Sequence, residues 1–359
     1  MVNAYTLTAN KGEWSELYVL FKLFSENKIK AADMDLQPTD DEYTFLKIFR
    51  EDVENRLYIY DLEQDGMVRI LTKNGQLVDA VSTHLLPEKA QRVFEAIKSA
   101  NTSTFALPEA VALMSEYRLE KIKANSNMKS DIEAIIKDEL ITQSKPVGFS
   151  IKSQVGGAST LLNASKRTNF IYKVHNFNGT FDEINSIGGS RKMRDRLQAI
   201  VEAGGVLEFS CIESTVFTRN MRVIDSIMPN ILASMLVDYY SGKGVTMTQL
   251  CALSGAKGLY SLGVAEIGYK LKSFLRAVAL GMVPSREWNT RLSAYGGYII
   301  VRNDGMLLCY HLYNDDDFRD YLFNNTKLDT PSTSRHDFGY LYEDGGELFL
   351  KLNLQVRFC

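Results

Sequence analysis

Histidine and cysteine are scarce in this chain, and neither residue type is clustered. The sequence has four of each, at positions Cys211, Cys251, Cys309, Cys359, His84, His175, His311 and His336. No Cys-x-x-Cys pair and no zinc-binding histidine spacing occurs, so neither a zinc site nor a disulfide framework is indicated. We therefore expect reduced cysteines and no zinc hydrolase.

Long apolar runs and phosphate-binding glycine loops are also missing. No apolar run approaches the roughly 20 residues that span a bilayer, and the first residues lack a charged region followed by an apolar one. We expect a cytoplasmic protein. Gly242-Lys243-Gly244 lacks the context of a P-loop, and no dinucleotide fingerprint is present, so a nucleotide-binding enzyme is not indicated.

Composition and periodicity predict a globular protein of class α+β, or mixed α/β. The chain has 359 residues, of which 45% are hydrophobic and 24% charged, which suits one large or two ordinary domains. Helical spacing is predicted for residues 12–26, 87–99, 108–123, 221–240, 248–253 and 265–280. Strands are predicted for a meander over 43–82, for 130–136, 147–153 and 204–209, and from residue 295 onward.

The two strands at 130–136 and 147–153 carry the side chains that matter most. Alternation places Asp131 and Glu133 on one face of the first strand, and Ser150 and Lys152 on one face of the second. Paired as a hairpin, these side chains could converge. A carboxylate beside a lysine can hold Mg²⁺ against a phosphate and orient or deprotonate water, which is the chemistry of a metal-dependent nuclease.

A half-exposed antiparallel hairpin with one polar face is the alternative interpretation of this pattern. Two features favour catalysis. The opposite faces are apolar and would hold the polar side chains rigidly. Gly156-Gly157 follows the second strand, and backbone without a side chain can approach a ligand closely.

The first predicted helix, residues 12–26, contributes another acidic candidate. Its apolar residues cover most of its surface, so we expect it to be buried on most sides. Glu16 lies among apolar neighbours, where a carboxylate is costly unless it is paired or binds a metal. Glu13 lies in the first turn, where the helix dipole favours an acid. We therefore prefer Glu16 to Glu13 as a metal ligand.

Charge is distributed unevenly, although the formal net charge is only -3. Residues 31–66 contain eleven acidic and three basic residues, whereas residues 143–200 contain nine basic and three acidic residues. A phosphate-rich partner would be attracted to the second region, as expected for a DNA enzyme with a defined cleft. Solvated surfaces are the alternative explanation.

Several segments resemble the HpaII-type restriction endonucleases over nearly the full length of the chain. They are 11–18, 130–132, 148–153, 160–165, 321–327, 330–336 and 352–358. The resemblance implies a Mg²⁺-dependent type II enzyme that cuts both strands of DNA within CCGG. It also implies a restriction-endonuclease-like core, with a mixed β-sheet flanked by helices. We expect residues 1–210 to form the nuclease region and 211–359 a helical segment with a β-rich DNA-recognition region, or both to form one compact domain.

Carried onto this sequence, the resemblance makes Asp131 the metal-binding aspartate and Lys152 the lysine that closes the nuclease motif. Ser150 departs from the pattern, because most nucleases of this superfamily have Glu or Asp two residues before the lysine. A hydroxyl cannot supply the missing charge. The second carboxylate must then come from elsewhere, with Glu16 as first choice and Glu133 as second, and one-metal and two-metal mechanisms both stay open.

Polar residues beyond the active strand are candidates for contact with double-stranded DNA. They are Gln154, Asn163, Lys166, Arg167 and Asn169, with Arg335 and His336 in a second loop and Arg191, Lys192 and Arg194 as phosphate contacts. Arginine suits guanine best, since guanine presents two acceptors in the major groove. A surface loop or phosphate contact is the alternative for the first two groups.

The resemblance also implies partners. A palindromic target fits a twofold pair of protomers on DNA, and a cognate cytosine methyltransferase would be a functional rather than a physical partner.

Two other functions compete with this interpretation. A DNA-binding regulator without nuclease activity is conceivable, because residues 248–255 followed by 265–280 could form a helix-turn-helix. A glycosidase could use Asp131 and Glu133 as paired carboxylates. The first leaves Glu16, Asp131 and Lys152 unexplained, and the second leaves Lys152 and the basic region without a role.

Overall fold

The computed structural model describes residues 7–53, 56–123, 130–137, 145–291, 296–311 and 315–359. It contains two compact units, each formed from two stretches of chain. Unit 1 comprises Met1–Ser159 and Ser293–Phe318, and unit 2 comprises Thr160–Leu292 and Arg319–Cys359. Among the described residues, no helix is both long enough and apolar enough to cross a membrane.

Helices and strands both contribute to the fold, as the predicted α+β class requires. The strands are β1 (Thr8–Ala9), β2 (Lys28–Ala32), β3 (Pro38–Val53), β4 (Arg56–Asp61), β5 (Met67–Thr72), β6 (Leu77–Ser82), β7 (Phe105–Ala106), β8 (Ile132–Lys137), β9 (Val147–Ser153), β10 (Thr160–Leu162), β11 (Asn169–His175), β12 (Val206–Ile212), β13 (Gly297–Val301), β14 (Leu307–His311), β15 (Thr326–Leu328), β16 (Leu341–Asp344), β17 (Glu347–Asn353) and β18 (Val356–Phe358). The helices are α1 (Lys11–Glu26), α2 (Leu86–Ser99), α3 (Pro108–Glu116), α4 (Phe181–Ser186), α5 (Lys192–Glu202), α6 (Thr215–Ile224), α7 (Met228–Tyr240), α8 (Met247–Ala256), α9 (Val264–Ala279), α10 (Asp315–Asn324) and α11 (Thr333–His336).

Unit 1 is built on a mixed sheet that has nine strands among the described residues, in the order β2-β14-β13-β9-β8-β3-β4-β5-β6. The predicted meander is confirmed, because β3 to β6 pair antiparallel in sequence. The predicted hairpin is confirmed too, with Ile132 of β8 opposite Phe149 of β9. On its other side β9 pairs parallel with β13, which places Ser150 beside Tyr298. The two candidate catalytic strands are therefore internal to the sheet and firmly held.

Helix α1 packs against the core of unit 1, as predicted. Asn10 caps it, since the Asn10 side chain accepts a hydrogen bond from the Glu13 N–H (3.0 Å) and the Glu13 carboxylate accepts one from the Asn10 N–H (2.9 Å). Its buried residues include Trp14, Leu17, Tyr18, Val19, Leu20, Phe21, Leu23 and Phe24. Ser15 donates to the Ser153 hydroxyl at 2.9 Å, which fixes the helix against the end of β9.

Among its described residues, unit 2 combines two antiparallel sheets with the helices α4 to α9 and α11. The strand orders are β12-β11-β17-β16 and β10-β18-β15. Helix α7 covers the first sheet, and the Tyr172 hydroxyl on β11 donates to the Ala233 carbonyl on α7 at 2.8 Å. Because β11 pairs with β12 on one side and β17 on the other, segments far apart in sequence lie side by side.

Three details differ from the sequence-based expectations. Residues 221–240 form parts of two helices, because Asp225 accepts a hydrogen bond from the Ile227 N–H (3.1 Å) and Pro229 fits only the first turn of α7. The third helix ends at Glu116 rather than Lys123. Helices α10 and α11 interrupt the C-terminal strands.

The two units also divide the chain elsewhere than at residue 210. The difference arises from strand pairing that joins distant segments. β11 and β12 belong to the sheet of β17, and β13 and β14 return to the sheet of unit 1.

Candidate active site

Asp131 lies immediately before β8, with its carboxylate directed at the neighbouring strand β9. Its Oδ2 accepts a hydrogen bond from the Ile151 N–H at 2.6 Å and one from the Ser150 hydroxyl at 3.2 Å. The Asp131 N–H donates to the Phe149 carbonyl at 2.8 Å. Both the backbone and the carboxylate of Asp131 are therefore fixed by β9, and Ser150 serves as a donor to Asp131 rather than as a second acid.

Glu16 projects from α1 toward the same place. Its side chain is only 21% exposed. The pKa of Glu16 is raised to about 7, chiefly by burial and then by the negative charge of Asp131, although Lys123 and Lys152 act to lower it. Glu16 on α1 is therefore near enough to Asp131 and Lys152, at two adjacent strands, for their charges to act on its carboxyl group.

Lys152 lies on β9 two residues after Ser150, on the same face of the strand. Its ammonium group is 5.6 Å from the centre of the Tyr298 ring, on the adjacent strand β13. An aromatic face attracts a cation and limits where the long lysine side chain can go. The Lys152 ammonium is thus held on the side of the sheet that Ser150 and Tyr298 share.

Lys123 is a member of this cluster that sequence reasoning missed. Its ammonium group is 3.2 Å from Glu13 Oε1 and 3.9 Å from Glu16 Oε1. The sequence placed Lys123 at the end of a predicted helix, and no motif or spacing points to it. Its position follows from the path of the chain after α3, which only the tertiary structure shows.

The sequence offered Glu133 as a second-choice metal ligand and Gly156 as backbone that a ligand could approach, and the structure gives both residues other surroundings. Burial raises the pKa of Glu133, but Glu133 is not among the charges that shift the pKa of Glu16. Gly156 has a φ of +108°, and a Cβ there would lie 2.9 Å from the Lys11 side chain. Gly156 therefore leaves room for Lys11 of α1, whereas Gly157 has open space beside it.

The donor set of this cluster suits Mg²⁺ better than zinc. Among the described residues, no group of three or more His, Cys, Asp and Glu side chains is arranged to hold a metal ion. Mg²⁺ is commonly held by one or two carboxylates and keeps several of its waters. Asp131 and Glu16 could supply such a pair, and Glu13 is already engaged in capping α1.

In unit 2, buried amides connect two of the segments predicted to contact DNA. Asn169 is fully buried, and its amide donates to the Glu213 carboxylate and the His336 carbonyl, both at 2.9 Å. Asn353, also fully buried, donates to Asn169 Oδ1 at 2.6 Å and to the Ser165 carbonyl at 2.8 Å. Asn169 thus holds the 163–168 segment against α11, and this burial is incompatible with a direct base contact in this conformation.

The remaining candidates around these segments face outward. Asn163, Lys166, Arg167 and Arg335 are exposed. Lys166 pairs with Asp337 at 3.3 Å, which again links the two segments. Burial, with a smaller contribution from Arg335, lowers the pKa of His336. The structure therefore gathers the candidates from both loops on one part of unit 2.

The basic residues at the start of α5 differ in their exposure and contacts. Arg191 and Arg194 are exposed, and Lys192 donates to the hydroxyl of Thr333, the first residue of α11, at 2.8 Å. Arg196 is buried and donates to three backbone carbonyls, so its role is structural. Gln154 is exposed after β9 in unit 1, where its backbone N–H donates to the Val301 carbonyl at 2.9 Å.

Comparison with known proteins identifies the family. The model of the HpaII restriction endonuclease family matches residues 10–358. The chain belongs to this family. The type II restriction enzyme HpaII of Haemophilus parainfluenzae is similar, with 38% identity over 358 residues, covering 98% of each chain. No solved structure matches the chain.

Membership of the HpaII family makes the chain a type II restriction endonuclease, whose substrate is double-stranded DNA. The structure also weakens the sequence argument for a regulator. Helices α8 and α9 are separated by residues 257–263, which include a short 3-10 helix. A helix-turn-helix usually has a turn of three or four residues, so this helix pair does not have its expected geometry.

Proposed function

We propose that this enzyme hydrolyses phosphodiester bonds of double-stranded DNA within CCGG in a Mg²⁺-dependent reaction. The observation that supports the proposal most is that Asp131 is hydrogen-bonded to β9, the strand that carries Lys152, while the charge of Asp131 also acts on Glu16 of α1. The resemblance to the HpaII-type enzymes implies the recognition sequence and the metal. A DNA-binding regulator would have no use for two carboxylates beside a lysine.

In this proposal, Asp131 and Glu16 hold the metal, and each of the other residues has a defined task. Bound Mg²⁺ would supply positive charge at the phosphate and lower the pKa of a water ligand. Lys152 donates to a phosphate oxygen or to the attacking water and stabilises negative charge that develops in the transition state. Ser150 orients Asp131 through its hydrogen bond. Glu133 is the less favoured metal ligand.

For recognition, we propose that the exposed arginines of unit 2 contact guanine. Arg167 and Arg335 can each donate two hydrogen bonds to the O6 and N7 acceptors of a guanine. Asn163, Lys166, His336 and Gln154 would add polar contacts to bases or phosphates. Arg191, Lys192 and Arg194 of α5 would contact the phosphate backbone, where positive charge counts more than hydrogen-bond pattern.

The proposed target also defines the partners of the enzyme. CCGG reads the same on both strands, so two protomers related by twofold symmetry would place one active site on each strand. A cytosine methyltransferase acting on the same sequence is the expected functional partner, because it would protect the host DNA.

The test is digestion of plasmid DNA of known sequence with Mg²⁺, followed by sequencing of the fragment ends. We expect discrete fragments ending within CCGG from the unmodified protein, none from Asp131→Asn, and cutting about 10²- to 10³-fold slower by Lys152→Met. Glu26→Gln is the control, since Glu26 is a half-exposed carboxylate on α1 that pairs with Lys22, and this variant should still cut. Cutting at another sequence would reject the CCGG assignment. Cutting by Asp131→Asn would reject the proposed centre, and binding without any cutting would restore the regulator.

A further inference from the structure

Lys123 occupies a position that the proposed metal-dependent reaction does not explain. Its ammonium group lies 3.2 Å from Glu13 and 3.9 Å from Glu16. Of these two carboxylates, Glu16 is the one proposed to hold the metal together with Asp131. Lys123 is within ion-pairing distance of two carboxylates of α1 at once. Lys123 thus serves as the counter-ion of a group of carboxylates.

The segment before Lys123 is anchored by hydrogen bonds to side chains of β3. Residues 120–122 have no regular secondary structure. Asp52 on β3 accepts hydrogen bonds from the backbone N–H groups of Glu120 (2.7 Å) and Lys121 (3.3 Å). Arg50 donates to the carbonyls of Lys121 and, at 3.1 Å, of Ile122. The segment is therefore held in place by side chains of the sheet.

Arg50 and Asp52 are themselves paired and nearly inaccessible, with exposures of 5% and 6%. Burying two charges has a large desolvation cost, and the pair adds little stability over an apolar one. Here the pair satisfies the backbone of residues 120–122, which a pair of apolar side chains could not do. The consequence is a fixed backbone position immediately before Lys123.

We propose that Lys123 is a positioning residue that takes the place of the metal cation in the metal-free centre and yields as a divalent cation binds. This inference rests on the proposed function, since it takes Asp131 and Glu16 as the metal-binding pair. Without a cation, the charges of Asp131 and Glu13 each disfavour an ionised Glu16, and the Lys123 ammonium offsets that repulsion. When a divalent cation enters, it must displace Lys123 or tolerate a positive neighbour. Either way, Lys123 weakens metal binding and stabilises the metal-free enzyme.

The test measures Mn²⁺ binding without DNA, by electron paramagnetic resonance of the free ion. Lys123→Met should bind Mn²⁺ about three- to tenfold more tightly than the unmodified protein, the range expected for removing a partly exposed charge. Lys123→Arg keeps the charge and should retain the original affinity. Lys22→Met is the matched control, because Lys22 lies on α1 and pairs with Glu26 instead. The Mn²⁺ affinity of this variant should equal that of the unmodified protein.

Asp131→Asn separates the two proposals. If it abolishes Mn²⁺ binding while Lys123→Met leaves the affinity unchanged or weaker, the role of Lys123 is refuted and the metal site stands. If Asp131→Asn binds Mn²⁺ normally, the proposed metal site fails, and the role of Lys123 with it. A second readout is thermal unfolding in EDTA, where Lys123→Met should melt at a lower temperature than Lys22→Met. An equal melting temperature would contradict the proposed stabilisation of the metal-free enzyme.

Discussion

Replacing Glu16 with Gln should make the metal-free enzyme more stable at alkaline pH while abolishing cleavage. Glu16 is mostly buried and faces the charge of Asp131, so its carboxyl group favours the protonated form in the folded protein. Gln has nearly the same shape and carries no charge. The substitution therefore removes an unfavourable charge from the native state and a proposed metal ligand at the same time.

The size of the effect follows from the pKa of Glu16. Burial and Asp131 raise this pKa from 4.5 to about 7. Each pKa unit corresponds to about 1.36 kcal/mol, so ionisation of Glu16 lowers the free energy of unfolding by roughly 3 kcal/mol. Because the pKa is higher in the folded protein, the stabilisation is complete below pH 4.5 and is lost as the pH rises through about 7. Glu16→Gln should avoid this loss.

The assay is urea denaturation in EDTA at pH 8.5 and at pH 4.5. We expect Glu16→Gln to exceed the unmodified protein by about 2 to 3 kcal/mol at the higher pH, and by much less at the lower pH. Glu26→Gln is the control, since Glu26 lies on the same helix, is half exposed and pairs with Lys22. A destabilised Glu16→Gln variant, or a difference that does not depend on pH, would refute the reasoning.

Three further predictions concern other residues of the two sites. Lys152→Met should lower the cleavage rate about 10²- to 10³-fold yet leave DNA binding in Ca²⁺ unchanged, as gel-shift titration can show; weakened binding would contradict a role confined to the reaction. Ser150→Ala should lower the cleavage rate only about tenfold, because the Ile151 N–H still holds Asp131; complete loss in a plasmid assay would mean that Ser150 does more. Asn169→Ala should destabilise the protein by roughly 2 to 4 kcal/mol in urea denaturation and weaken DNA binding. The exposed Asn163→Ala is the control and should cost under about 0.5 kcal/mol. Equal losses of stability in the two variants would show that burial of Asn169 is irrelevant.

Much of unit 1 could be predicted from local pattern. The apolar periodicity of residues 12–26 predicted a buried helix, and α1 is buried along most of its length. Period-two alternation predicted the meander and the hairpin, because each of these strands pairs with a neighbour close in sequence. Helix α10 was missed, since its acidic first turn and short apolar face give a weak signal among strands.

The candidate site, too, was partly predictable from local sequence pattern and partly not. Asp131 and Lys152 could be placed on adjacent strands from the sequence, because a hairpin is a local structure. The capping role of Glu13 was foreseeable from its first-turn position. The proximity of Glu16 to Asp131 was only a preference, based on the cost of burying an unpaired carboxylate. This proximity depends on how α1 packs against β9, through Ser15 and Ser153, and the sequence did not show that packing.

What the sequence determined by itself was local: which segments are helices and strands, and which residue types face one way. What only the tertiary structure decided was non-local. It brought Lys123 to Glu16 through a backbone anchored by a buried ion pair, and it buried Asn169 between two loops more than 160 residues apart. Local preferences depend on neighbours along the chain, whereas these contacts depend on the packing of distant segments, which no spacing in the sequence encodes.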